Sequence, residues 1–349
     1  LEASGYAFPQ FPVFACRIRV ANPYFGRYHE VYPGTFMEGD DSSCPQYRII
    51  NEGSRAQGKA DVYIAHFRDT IPKLPPAGSA DSINVLAGVE NAAFSPLLGS
   101  ASNLSKFDYA MVSSPRAAVP FFSLTLPPNT GHPVPSFDER HNFAMLAWSH
   151  CEPVRTEYAK TMISYAQKKY GLKIASMGGC LNNDRTLDRI KAQGLCVDYK
   201  SRSWDPKPAE SCDRRSFPDL AARTFKFSLV FQNADCEYWI DLRLTTAWSS
   251  GSVVVFMGTA KNKLAEFVPP ALMSAMVFVE DFSSVAALVD YMVRLSRNKA
   301  AFEARTKWTK GVDRSLWDKT IHGRESSNCK LCRLRFEGCM RDGYQPSRG

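Results

Sequence analysis

Short apolar runs recur along the chain, separated by polar, turn-rich stretches. They are Val62–His66, Ile83–Val89, Tyr109–Val112, Phe143–Trp148, Leu172–Ala175, Phe227–Phe231, Val253–Met257 and Met276–Val279. Several are continuously apolar rather than alternating, the pattern of strands buried on both faces. Helical patterns lie between them. Val285, Leu288, Val289, Met292 and Val293 fall at i, i+3, i+4, i+7 and i+8. That spacing lines one face of a helix, and Ser283 or Ser284 is placed to cap its start. A second helix is predicted from about Val154 to Tyr170, stopped by Gly171, a residue suited to the left-handed turn that closes helices. Strands alternating with helices predict parallel sheets with right-handed crossovers.

The stretch from Leu126 to Asp138 holds Pro127, Pro128, Gly131, Pro133 and Pro135. Proline at that density belongs neither in a helix nor in a central strand, so a domain boundary is expected there. The 349 residues then divide into an α/β domain over 1–138, a second over 139–325, and a cysteine-containing tail over 326–349. Two α/β halves facing each other leave a cleft, and ligands of open α/β sheets bind beyond the carboxyl ends of the strands.

Hydrophobic residues make up 44% of the chain and charged residues 22%, an ordinary globular composition. The formal charge of +8 is spread along the chain without a nucleic-acid-binding motif, so it suits a phosphate-bearing substrate better than a nucleic acid. The sequence has no run of about 18 apolar residues that would span a bilayer. It begins at Leu1 rather than Met, and a membrane anchor is expected upstream. Ten cysteines favour disulfides and an oxidising compartment over a set of buried thiols. Asn103-Leu104-Ser105 is a candidate glycosylation sequon.

P-loop, HExxH, GxSxG and GxGxxG motifs are absent from the sequence. His66 reads as a structural histidine. Cys329-Lys330-Leu331-Cys332, with Cys339 beyond, lacks a second ligand pair for zinc and does not follow a βαβ strand as a redox motif would. It reads as a structural disulfide, Cys329 joining Cys332 or Cys339 and tying the tail to the second domain. The richest segment is Phe225–Gly258. It reads as a buried strand, a polar turn, a helix over about Tyr238–Ser250, and a second buried strand. The turn puts Gln232 and Asn233 at a strand end facing the cleft, and the helix aims its first amides the same way, which suits a phosphate. Asp241, near the helix start, is placed to hold a ribose hydroxyl pair. Arg155 lies in the first turn of its helix, where the macrodipole disfavours a cation; an anionic partner would explain it. These features alone fit many nucleotide-binding folds.

The segment also resembles the inverting α1,3/4-fucosyltransferases, with their YKFxLxFENS…DYxTEKxxxAxxxGxVPVVxG pattern. The likeness runs without gaps from Glu237-Tyr238 to Gly258. It continues through Glu266-Phe267-Val268-Pro269-Pro270, Val279-Glu280-Asp281-Phe282, Leu288, Tyr291, Leu295, Phe302 and Trp308. Fainter matches lie upstream, at Ala60–Arg68, at Val89-Glu90-Asn91 with Phe107–Met111, at Cys151–Tyr158 and at Gly178–Asn183. The resemblance implies two Rossmann-like domains facing each other across a cleft (the GT-B type) and GDP-fucose as donor, without a divalent metal. It implies Glu90 as general base, and Arg155, Asn233, Tyr238, Asp241 and Arg243 as the donor-binding set. It also implies a glycan acceptor, with transfer expected to the 3-hydroxyl of N-acetylglucosamine, and a type II protein facing the Golgi lumen. This chain departs from the pattern at four places. Gln232 replaces Glu, Asp241 replaces the ribose-holding Glu, Val254 replaces Pro, and Leu242 replaces the Lys that meets the phosphates. Arg155 is then left as the main phosphate cation. A donor other than GDP-fucose, or a non-catalytic glycan-binding relative, are the rival readings.

Overall fold

The computed structural model describes residues 14–20, 39–40, 47–52, 59–66, 75–88, 101–120, 135–186, 195–197, 206–208, 221–234, 236–310 and 327–337. The first sheet comprises β1 (Phe14–Val20), β2 (Gly39–Asp40), β3 (Tyr47–Glu52), β4 (Val62–His66), β5 (Ile83–Gly88), β6 (Tyr109–Val112) and β7 (Val119–Pro120), in the order β2-β3-β1-β4-β5-β6-β7. Its pairings are parallel except that of β2 with β3. The second sheet holds β8 (Asn142–Leu146) and β9 (Ile174–Ser176). After a separate antiparallel pair, β10 (Leu195–Val197) with β11 (Pro206–Pro208), it adds β12 (Phe225–Phe231), β13 (Val253–Met257) and β14 (Val277–Phe278). Its order is β14-β13-β12-β8-β9, all parallel. The described strands of the first sheet end at Pro120 and those of the second begin at Asn142. Most of the proline-rich boundary stretch lies outside the described residues.

Alternation along β12 and β13 builds a core on each face of the second sheet. Phe227, Leu229, Phe231, Val253 and Val255 pack with α2 (Pro153–Tyr170) and α6 (Val285–Arg297). Val230, Val254 and Phe256 pack on the other side, against α3 (Leu242–Ser250) and α5 (Pro270–Ala275). Apart from Lys226 and Ser228 of β12, both strands are therefore apolar on both faces, as their sequences predict. Each fully buried Phe or Leu contributes about 1.5–3 kcal/mol relative to exposure. Shorter helices complete the fold: α1 (Ala101–Leu104), α4 (Lys261–Leu264) and α7 (Lys299–Thr306). The predicted caps are in place. Ser284 accepts from the Ala287 amide at 3.1 Å, and Gly171 adopts φ 64°, donating back to Ala166 and Gln167.

Two expectations are corrected. The helix expected from Tyr238 begins at Leu242. Tyr238 takes a left-handed φ of 60°, and Asp241 is extended, capping the helix by accepting from the Arg243 amide. The tail helix α8 (Ser327–Glu337) packs on the first sheet rather than on the second domain. Cys332 is bonded to Cys16 of β1, 316 positions away in sequence, so it is not the partner of Cys329. The i, i+3 spacing puts both tail cysteines on the buried face of one helix, each reaching its own partner. Cys329 is also disulfide-bonded, while Cys339 lies outside the described residues. Phe336 stacks on Tyr47 with centroids 5.7 Å apart, and the Arg335 Nε donates to the Asp81 carbonyl. A further disulfide joins Cys151 to Cys180. The sequon residue Asn103 lies on α1, half-buried, with its neighbours Leu104 and Ser105 exposed.

Candidate functional site

Chain order and strand order together locate the site. From β8 the chain steps outward to β9 through α2. It then returns to the other side of β8 as β12 and continues outward to β13 and β14. The order reverses between β8 and β12. At such a switch point the crossovers leave on opposite faces and open a crevice beyond the strand carboxyl ends. The segment after β8 that starts α2, and the loop from β12 to α3, border that crevice.

Arg155 sits in the first turn of α2, where Glu152 caps the helix by accepting from the Val154 and Arg155 amides at 3.1 and 3.0 Å. Cys151, bonded to Cys180, holds this turn against the loop after β9. The Arg155 side chain is 1% exposed. Its Nη1 donates to the Phe231 carbonyl at 2.9 Å, its Nη2 donates to the His150 carbonyl, and the guanidinium lies 5.0 Å over the Trp148 ring. Burial, and then the positive charge of Arg243, push its pKa down to about 10, against the opposing pull of Asp241 and Glu152. It stays charged at neutral pH, braced under the crevice. Its Nε has no partner among the described residues.

Gln232 follows β12. Its backbone amide extends the ladder to the Met257 carbonyl at 2.8 Å. It is 3% exposed, and neither amide atom of its side chain has a partner among the described residues. Gly258, at φ 153°, presses on it so closely that a Cβ there would come within 2.5 Å of the Gln232 Cγ. Buried polar atoms normally find partners. The atoms of Gln232, Arg155 and Trp148 left unpaired among the described residues give this end of the second sheet unused hydrogen-bonding capacity that a polar ligand could take up.

Asn233 accepts from the Trp239 indole at 3.0 Å, which pins the loop. Asp241 accepts from the Arg243 amide and forms an ion pair with the Arg243 guanidinium. Of the expected donor-binding residues, Asp241 and Arg243 come close enough to Arg155 to act on its charge, while Asn233 and Tyr238 lie on the loop that leads from β12 to α3. Glu90, just past β5, lies outside the described residues. The charges of Asp241 and Arg243 largely satisfy each other.

Tyr238 is the meeting point of the two domains. Its carbonyl accepts from the Ser113 hydroxyl of the β6–β7 turn at 2.9 Å. The Arg116 guanidinium of that turn lies 5.8 Å over its ring and donates to both oxygens of Glu266 at 3.4 Å. The Tyr238 hydroxyl donates to Glu266 at 2.7 Å, and the Lys263 Nζ lies 3.5 Å from that hydroxyl and from Glu266. The bond to Glu266 raises the Tyr238 pKa, and the same bond, with Arg116 and Lys263, lowers that of Glu266. Sequence reasoning assigned no role to Ser113, Arg116 or Lys263. No periodicity links a turn in the first half to a loop more than a hundred residues later.

The sequence profile of glycosyltransferase family 10 (fucosyltransferase), C-terminal, matches residues 137–337. The α-(1,3)-fucosyltransferase fut-1 of Caenorhabditis elegans is 25% identical over 261 residues, which cover 67% of this chain and 56% of that protein. The chain thus spans about half the length of this curated relative. The crystal structure of an α1,3-fucosyltransferase superposes with a TM-score of 0.56 at 13% identity, covering 96% of this chain and 93% of the other. The structure of an α1,3-fucosyltransferase with GDP gives 0.54 at 14% identity, covering 96% and 94%. These likenesses support a GT-B-like two-domain architecture, and with more than half of its residues inside the family profile the chain belongs to glycosyltransferase family 10, the fucosyltransferase family.

Proposed function

We propose that the protein transfers fucose from GDP-fucose to a hydroxyl of a glycan acceptor, with inversion, and that the acceptor position is the 3-hydroxyl of N-acetylglucosamine. The observation that supports this reading is the β12–loop–α3 unit at the switch point, where Asp241 and Arg243 act on the charge of the buried Arg155. In the reaction, Glu90 takes the proton of the acceptor hydroxyl as its oxygen bonds to the anomeric carbon from the face opposite the nucleotide. The bond from that carbon to the diphosphate oxygen breaks, and its electron pair leaves with GDP. Arg155 and Arg243 stabilise the departing charge, which a water-poor crevice makes more effective. The disulfides suit an oxidising lumen, and we place the protein in the Golgi as a type II protein anchored upstream of Leu1.

One feature favours a second reading. Leu242 stands where the family pattern carries a phosphate-binding Lys, and a changed donor would follow from it. Titration with GDP, UDP and ADP, beside a transfer assay on Glu90→Gln, tests both readings. GDP preference is expected, with unchanged GDP affinity and turnover lowered about 10²–10⁴-fold in the variant. Preference for another nucleotide makes the second reading correct. Normal turnover of Glu90→Gln moves the base elsewhere.

A further inference from the structure

We propose that Arg116, on the β6–β7 turn of the first domain, is a donor-phosphate ligand that reaches across the cleft and supplies the charge Leu242 lacks. The proposal rests on the GDP-donor reading above. A departing diphosphate needs cations aimed at it, and Arg155 and Arg243, the two assigned to it above, are already partly engaged. Helix α3 opens with an uncharged leucine. The Arg243 guanidinium is held by Asp241, and both terminal nitrogens of Arg155 are occupied by carbonyls.

The turn that carries Arg116 is fastened to the second domain. The Ser113 hydroxyl fastens its turn to the Tyr238 carbonyl, at the end of the loop that leads into α3. The Arg116 side chain is 67% exposed, and its contacts with Glu266 are long, at 3.4 Å. An exposed pair of that kind contributes little, so exchanging Glu266 for a phosphate costs little. A guanidinium on a phosphate makes the stronger, two-pronged bond. Glu266 would not be stranded by the exchange, because the Tyr238 hydroxyl already donates to it at 2.7 Å and the Lys263 Nζ lies 3.5 Å away. The crevice floor points the same way. Gln232 is 97% buried by its 3% exposure and has both amide atoms unpaired, and the Arg155 Nε beside it is also unpaired.

The test is calorimetric titration of GDP and of guanosine against the parent, Arg116→Ala, Arg116→Lys and the double variant Arg116→Ala/Leu242→Lys. Arg116→Ala is expected to weaken GDP about ten- to a hundredfold, the range of one charge-assisted bond, and to leave guanosine within about twofold. Arg116→Lys should fall between parent and Ala, since a point charge replaces a fork. Leu242→Lys should restore most of the loss in the Ala background. GDP affinity of Arg116→Ala within about twofold of the parent overturns the proposal and leaves the donor reading standing. Equal losses for GDP and guanosine also overturn it, because Arg116 would then only hold the loop. If the parent binds neither ligand, both the proposal and the donor reading fall.

Discussion

Two buried arginines stand at opposite ends of the second sheet, and the contrast between them separates architecture from chemistry. Arg140 precedes β8 at the amino edge and Arg155 follows it at the carboxyl edge. They are 2% and 1% exposed. Burial is the main force on both, and each pKa is pushed down to about 10. Arg140 donates from every guanidinium nitrogen, to the carbonyls of Pro135, Arg223, Phe225 and Ser250 and to the Ser252 hydroxyl. Its charge is spent tying β12 to the end of α3. Arg155 donates from two nitrogens and keeps an unpaired Nε, with Asp241 and Arg243 close enough to shift its pKa. A perturbed arginine is thus no sign of a ligand site by itself. What distinguishes Arg155 is unfinished hydrogen bonding at the edge where an α/β sheet takes its ligands.

Substitution sharpens this contrast. The largest effect is expected from Arg140→Met, which strands several buried carbonyls. At about 1–3 kcal/mol for each acceptor left unpaired, it should lower unfolding stability by about 3 kcal/mol or more in a urea titration. GDP affinity of the folded fraction should stay unchanged, and a selective loss of GDP binding would put Arg140 on the wrong side of the comparison. Arg155→Met removes the donors to fewer carbonyls, those of Phe231 and His150, so about 2 kcal/mol of stability should go. GDP binding should weaken about tenfold or more as well. If Arg155→Met loses stability alone, the two arginines are equivalent and Arg155 is a brace.

The smallest expected effect concerns the cross-cleft cluster. The Tyr238 hydroxyl, then the charges of Arg116 and Lys263, hold the Glu266 carboxyl below its ordinary value of 4.5. Its folded value is therefore lower than its unfolded one. The cluster's contribution is present above the unfolded value and is lost as the pH falls through the folded one. The parent should exceed Glu266→Gln in stability at pH 7, and the two should converge below pH 4.5. A difference that persists unchanged in acid would show that the Glu266 charge is not what holds the cluster.

Much of this was legible in the sequence, and the physical reason is local. The continuous apolar runs of β12 and β13, the Ser284 cap and the Gly171 stop report short-range constraints, and each element formed within a few residues of its expected place. The β12–loop–α3 unit was legible for the same reason. The helix start was misplaced because Tyr238 turns left-handed and packs against Ser113 and Arg116 of the first domain. Hydrophobic periodicity does not encode such contacts. The tail was misplaced for a related reason. A Cys-x-x-Cys spacing says that two sulfurs share a helix face but not which sheet that face will meet. Only the tertiary structure could bring Cys332 to Cys16, pair Arg116 with Glu266, or show that Arg155 is buried with one nitrogen to spare. In each case the deciding distance is between groups far apart along the chain, and the folded core sets it.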